Sequence, residues 1–252
     1  PMGSIEGISR ISSMSDQYVA LMSSMARKYG LHIIAGSHPF RQKDGKLLNS
    51  CVIVHPDGRY LTQPKLHITP AEKKYWGISG GHELYVIPTP KARIGVQLCY
   101  DVEFPEATRF LADQGAEIVF VPFCTDDRHG FLRVRHCAQA RAIENQIFVA
   151  VAGVIGNLPS VPAMDIHYGQ AAVFTPSDFE FARDGIQAQA DSNVETMLVT
   201  DVDISDLHRS RAAGSVMPRH DRRHDLFETR VKIRNLDTEL DLQDAPPLQL
   251  PK

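Results

Sequence analysis

An α/β fold on a mixed sheet is the class that this 252-residue sequence predicts, and three observations predict it. Between residues 92 and 154 apolar runs alternate with amphipathic ones in the order strand, helix, strand, helix, strand, which builds layered α/β structure. Hairpin signatures precede that block and short alternating segments follow it, so the sheet is mixed rather than doubly wound and parallel. No Gly/Ser linker or low-complexity block divides the chain. Residues 1–235 are therefore expected as one domain, and 236–252, acidic and then proline-rich, as an arm or tail.

Taken in order, the opening PMGSIEGISRISSMS shows neither helical nor strand periodicity. Over 15–29, SDQYVALMSSMARKY sets apolar residues at 18, 19, 21, 22 and 25 on one side of a helix, with Gly30 as its stop. LHIIAGS (31–37) reads as a buried strand. NSCVIVH (49–55) and RYLTQPK (59–65) read as a hairpin, with Gly58 of Pro56-Asp57-Gly58 at the position that needs φ > 0. Strands LYVIPTP (84–90) and ARIGVQLC (92–99) lead to a helix over 104–115, with Pro105 in its first turn and Gly115 past its end. Strand 116–122, helix 129–146 and strand 147–154 complete the alternating block. Downstream, AAVFTP (171–176), FEFAR (179–183) and ETMLVTDVD (195–203) read as antiparallel strands joined by turns.

Composition excludes several function classes. A net charge of −3 with 43% hydrophobic and 23% charged residues offers no basic surface for nucleic acid. No apolar run nears the roughly 20 residues that cross a bilayer, and the N-terminus lacks a signal-peptide layout, so a cytoplasmic location is expected. Cysteines 51, 99, 124 and 137 show no CxxC spacing and read as reduced thiols. His208, His220 and His224 lack ligand-like spacing and cysteine partners, so neither metal nor cofactor is expected.

Chemistry concentrates in GVQLCYDVEFPE (95–106). A cysteine where a buried strand gives way to a helix sits on a sharp turn near backbone N–H groups, which lower a thiol pKa and stabilise an oxyanion. From position alone, Cys99 is equally a small buried apolar residue. Lys65, at the end of a hairpin strand, can hold a thiol as thiolate and donate to an oxyanion, yet a lone strand-end lysine is more often a solvated charge.

Together, PKLHITPAE (64–72) and GVQLCYDVEFPE (95–106) resemble the lysine and cysteine motifs of the nitrilase, or carbon–nitrogen hydrolase, superfamily. RAIENQIFV (141–149) and MPRHDRRHDLF (217–227) resemble further family segments, so the likeness runs over most of residues 15–230. The resemblance implies an α-β-β-α sandwich and hydrolysis of a non-peptide C–N bond by a Glu-Lys-Cys triad. By position it implies Cys99 as the nucleophile that forms a thioester, Lys65 as oxyanion partner, the Tyr100 N–H as second donor, and Glu72 as a glutamate that orients the lysine. Cys-Tyr-Asp at 99–101, where members acting on nitriles usually carry Cys-Trp-Glu, favours an amidase with a small-molecule amide substrate. PKLHITPAEKKYWGISGG resembles the hydrolase domain of acetyltransferase-linked members. Family habit also implies a homodimer or higher homo-oligomer.

One part of the pattern is broken. The family's general base, a glutamate in an FPE-like motif upstream of helix 15–29, has no counterpart in residues 1–14, whose sole acid is Glu6. The resemblance thus implies a sequence that is N-terminally truncated by roughly 60 residues, starts after the base, and is weak or inactive as a hydrolase. The alternative is a non-catalytic metabolite-binding or scaffold member of the same fold. Secondary candidates lie after strand 116–122, where Thr125 and Arg128 are placed to line a pocket, and Arg128 or Arg133 to bind a substrate carboxylate, although an arginine in such a place is more often solvated or ion-paired. Cys124 is read as lining the same pocket, His67 as reaching the site of Lys65 or, since side-chain direction alternates, pointing away, Trp76 as covering the pocket mouth or equally as buried in a core, and Arg141 with Glu144 as a structural pair on one helix face.

Overall fold

A computed structural model describes residues 4–160, 164–228 and 240–248, and the chain divides into two compact units, 1–84 with 233–252, and 85–232. The first unit holds helices α1 (Ser4–Ser12) and α2 (Ser15–Tyr29) and strands β1 (Ile33–Arg41), β2 (Leu47–Val54), β3 (Tyr60–Pro64) and β4 (Ile78–Ser79). Strands β1, β2 and β3 are antiparallel neighbours in that order, and β4 runs parallel to the start of β2. The apolar stripe read in the sequence explains α2: Val19 and Ala26 pack on Val52 and Val54 of β2. At the hairpin, Gly58 adopts φ +83°, so the turn needs glycine for its dihedral, and the flexible Arg27 side chain lies over it.

The helix α1 overturns the expectation of an aperiodic opening. Gly7 and four serines depress helix propensity over residues 4–13, which is why the sequence shows no helix. Serine hydroxyls supply the missing bonds locally, Ser12 Oγ donating to Ser9 O at 2.9 Å and Ser13 Oγ to Arg10 O at 2.7 Å. Arg41 of β1 adds a tertiary tie by donating to Ser9 Oγ at 3.2 Å. Of the arm, Gln243 pairs with Tyr60 in both directions, N–H to O, at 2.7 and 3.0 Å, which extends the outer edge of β3. The parts of the arm at 236–239 and 249–252 lie outside the described residues.

The second unit holds β5 (Val86–Pro88), β6 (Arg93–Val96), α3 (Pro105–Asp113), β7 (Ile118–Phe123), α4 (Arg128–Asn145), β8 (Phe148–Gly153), β9 (Ala172–Phe174), β10 (Ile186–Gln189) and α5 (Ile204–Ala213). Its six strands lie in the order β10-β9-β8-β7-β6-β5. The central three are parallel and the outer ones antiparallel, the mixed sheet expected from the sequence. Val96, Leu98, Leu111, Val119, Val121 and Phe148 are buried in its core.

Three readings of this half need correction. FEFAR (179–183) forms turns, and 195–203 forms no strand. The period-two alternation of the latter is real, but Met197 and Val199 on one face are 84% and 77% exposed, and Leu198, Thr200 and Val202 on the other are only half-buried. Strand β6 ends at Val96, short of the expected Cys99, for a reason that belongs to the site below. Helix α5 was not anticipated; its start is set by Asp203, whose carboxylate accepts from the Ser205 N–H at 2.8 Å. No described helix is long and apolar enough to cross a membrane.

Candidate active site

In the first unit, Lys65 and Glu72 form a buried ion pair. Lys65 follows the last residue of β3, and its N–H donates to Asn49 O at 2.8 Å, which fixes its backbone against β2. Its carbonyl accepts from the Gly81 N–H at 2.8 Å. A Cβ at Gly81 would stand 2.3 Å from Pro64 Cγ, so the closeness of these two segments depends on glycine. Lys65 Nζ donates to Glu72 Oε2 at 2.6 Å, with the residues 3% and 6% exposed.

Glu72 opens a π-helical turn (Glu72–Trp76) and is bound from several sides. The Thr69 N–H and hydroxyl both donate to Oε2 at 2.9 Å, and the Glu72 N–H donates back to Thr69 Oγ1 at 3.2 Å. Thr69-Pro70-Ala71-Glu72 thus satisfies a helix start reciprocally. Asn49 Nδ2 donates to Oε1 at 3.1 Å. Burial pushes the Glu72 carboxyl up, but the Lys65 ammonium and these donors outweigh burial and hold it below the usual carboxylate range. The group is a fixed carboxylate that positions an ammonium.

In the second unit, Cys99 sits on a bent backbone. It has φ +49°, a left-handed conformation that achiral glycine adopts freely but L-residues other than asparagine and aspartate seldom do, and this bend is what ends β6 early. A 3-10 turn (Cys99–Glu103) then intervenes before α3, so the chain segment next to the thiol is that turn and not the α3 N-terminus. Asp101, 1% exposed, accepts from the Leu98 N–H at 3.2 Å and so braces the turn. Gln97 Nε2 donates to Asp101 O at 3.3 Å, while Gln97 Oε1 accepts from Thr108 Oγ1 at 2.5 Å. Cys99 Sγ is half-buried and donates to Cys124 O at 3.5 Å.

Arg141, read from the sequence as one half of a helix pair, does more. Its Nε donates to Val102 O at 3.0 Å and its Nη2 to Glu103 O at 3.1 Å, so α4 clamps the turn that follows Cys99. The pair with Glu144 is present as well, at 3.0 Å. Tyr100 is half-buried and packs edge-on against Phe104, with ring centroids 4.9 Å apart. Thr125 Oγ1 donates to Tyr168 O at 2.6 Å, and Arg128 Nη1 donates to the Tyr168 hydroxyl at 2.8 Å.

The structure thus brings Lys65 and Glu72 together in one unit and Cys99, Tyr100, Thr125 and Arg128 to the loops after β6 and β7 in the other. Sequence reasoning missed Asn49, Arg141 as a clamp, and Tyr168. A polar residue inside the apolar run NSCVIV was a usable signal for Asn49; nothing local pointed to Tyr168.

Residues 7–212 match the family described as carbon-nitrogen hydrolase. The chain is 48% identical over 225 residues to "Probable hydrolase YhcX" of Bacillus subtilis, a match covering 89% of this chain and 44% of that protein. The chain therefore spans less than half the length of that relative. It is 28% identical over 224 residues to the omega-amidase NIT2 of Xenopus tropicalis, covering 84% of this chain and 75% of that one. Among solved structures, the C. elegans NitFhit protein superposes with a TM-score of 0.72 at 25% identity, over 88% of this chain and 54% of that one.

Proposed function

This chain belongs to the carbon–nitrogen hydrolase family, and we propose that it is an amidase-like hydrolase that works through a thioester on Cys99. The observation that carries the reading is the placement of Cys99: a half-buried thiol on a left-handed turn at the end of a parallel strand, clamped from behind by Arg141. Such a turn presents a sulfur and successive backbone N–H groups to the same space, which suits attack on a carbonyl carbon. We assign Lys65 the oxyanion-stabilising role and Glu72 the role of holding it in place, supported by the burial and saturation of that pair.

In the proposed reaction the Cys99 thiolate attacks the amide carbon, forming a C–S bond as the C–N bond breaks. The thiol proton leaves with the amine. Water then adds to the thioester, breaking the C–S bond and giving a carboxylic acid and the thiol. Relatives named as amidases support an amide over a nitrile. Among the described residues we assign no general base: Glu72 is committed to Lys65 and held ionised, and Glu6 lies exposed on α1. With no assigned base to take the thiol proton or to activate water, turnover is expected to be slow.

The test is incubation of the chain with short aliphatic amides, read by ammonia release and by peptide mass. The expected result is an acyl increment on the Cys99 peptide that Cys99→Ala abolishes, with little sustained ammonia. Ammonia release unaffected by Cys99→Ala, or a Cys99 inert to both amides and iodoacetamide, would overturn the assignment and leave a binding or scaffold role.

A further inference from the structure

Strands β6 and β7 are parallel neighbours with Val96 opposite Phe120, and the Gln97 N–H continues the ladder by donating to Phe120 O at 2.9 Å. Counted on from that register, Cys99 stands against Phe123, the last residue of β7, and one residue off from Cys124. A diagonal step of this kind, between strands about 4.8 Å apart that rise about 3.3 Å per residue, separates Cα atoms by roughly 6 Å, inside the span that a disulfide bridges. The bend at Cys99 does not carry the sulfur away, since Cys99 Sγ donates to Cys124 O at 3.5 Å. Cys124 is exposed, so packing does not hold its χ1, and rotation about it sweeps the second sulfur through the space beside its own carbonyl.

The other two thiols are placed differently. Cys51 is fully buried in β2 of the first unit, where burial pushes its thiol far up, and Cys137 is half-buried on α4, where burial raises it as well. From this arrangement we infer that Cys99 and Cys124 form a peroxide-sensitive pair, in which Cys124 resolves oxidised Cys99 as a disulfide. The inference rests on the reading of Cys99 as nucleophile, because a thiolate that attacks a carbonyl carbon also attacks hydrogen peroxide. In the first step the Cys99 thiolate displaces hydroxide from the peroxide; its sulfur is oxidised to a sulfenic acid and the peroxide is reduced. In the second, the Cys124 sulfur attacks that of Cys99, forming the S–S bond as the S–O bond breaks, and the oxygen leaves as water with the Cys124 proton. The disulfide silences the nucleophile without destroying it. Thiols reduce it back, whereas sulfinic acid, the next product of an unresolved Cys99, is not reversed by thiols.

Treatment of the full chain with hydrogen peroxide, followed by iodoacetamide and peptide mass without reductant, tests it. Untreated Cys99 is expected to alkylate. After treatment the Cys99 and Cys124 peptides are expected as one linked species lacking two hydrogens, formed at a rate independent of chain concentration, and dithiothreitol should restore most of the lost alkylation. Cys137→Ser should behave in the same way. In Cys124→Ser, peroxide should instead give a sulfenic acid that dimedone traps and then several-fold more sulfinic acid on Cys99, with the alkylation lost beyond recovery by dithiothreitol. A Cys99 that alkylates readily but yields no linked peptide, a link to Cys137 or to a second copy, or equal sulfinic acid with and without the Cys124 thiol overturns the inference and leaves the nucleophile standing. A Cys99 inert to both iodoacetamide and peroxide overturns both.

Discussion

Around Glu72, donors from Lys65, Thr69 and Asn49 converge on one buried carboxylate, whereas around Cys99 the backbone itself is bent and is kept bent by Gln97, Asp101 and Arg141. The first region is made of charges that satisfy one another. In the second, the residue of chemical interest contributes little to its own placement, and its neighbours do the holding. The difference predicts where substitutions register: at 65 and 72 in the stability of the chain, at 99 in reactivity, and at 141 in both.

The largest effect is expected at Lys65. Lys65→Met removes the partner of a buried carboxylate and should destabilise the chain by about 3–5 kcal/mol, measured by urea denaturation. Glu72 also gives the pair a pH signature. Its folded-state pKa lies below its unfolded value, so its contribution is complete above the ordinary carboxylate range and disappears as pH falls through the lowered folded value. Glu72→Gln should therefore lower stability at neutral pH and flatten the decline on acidification. An unchanged acid limb in Glu72→Gln would break the contrast between the two regions.

Next comes Arg141. Its loss leaves the carbonyls of Val102 and Glu103 without their donors, which costs about 1–3 kcal/mol. Arg141→Lys keeps the charge but not the fork and should recover less than half of that. The sharper readout is the pH profile of Cys99 alkylation by iodoacetamide, since a loosened turn changes the N–H groups that face the sulfur. A fall in stability with an identical alkylation profile would make Arg141 a support of the fold and nothing more.

How much of this was legible in the sequence follows from where each interaction is written. Helix α2 was legible because its stripe repeats within a few turns, and the contact between Lys65 and Glu72 because both lie in one short contiguous motif. Strand boundaries failed where a single dihedral decides them: nothing in GVQLC announces that Cys99 takes φ +49°, so the strand was read through it. Segment 195–203 failed for the opposite reason, since alternation without a burying partner is the same pattern as alternation with one. Arg141 reaches carbonyls on a distant segment, and Tyr168 joins Arg128 and Thr125 from far along the chain. Such pairings are products of the sheet order and leave no local trace.

The smallest predicted effect isolates the bend itself. At ordinary helical or extended positions glycine is less stable than alanine by roughly 0.5–1 kcal/mol, because it has more backbone freedom to lose. At Cys99 the sign should invert. An L-residue with φ +49° carries a penalty of roughly 1–2 kcal/mol that alanine retains and glycine sheds, so Cys99→Gly should be more stable than Cys99→Ala by up to about 1 kcal/mol. Both variants lose the thiol, so neither the chemistry nor the contact to Cys124 O biases the comparison. Paired urea titrations decide it. If glycine is the less stable of the two, the turn makes no left-handed demand, and the claim that Arg141 and Asp101 hold Cys99 against its own preference fails with it.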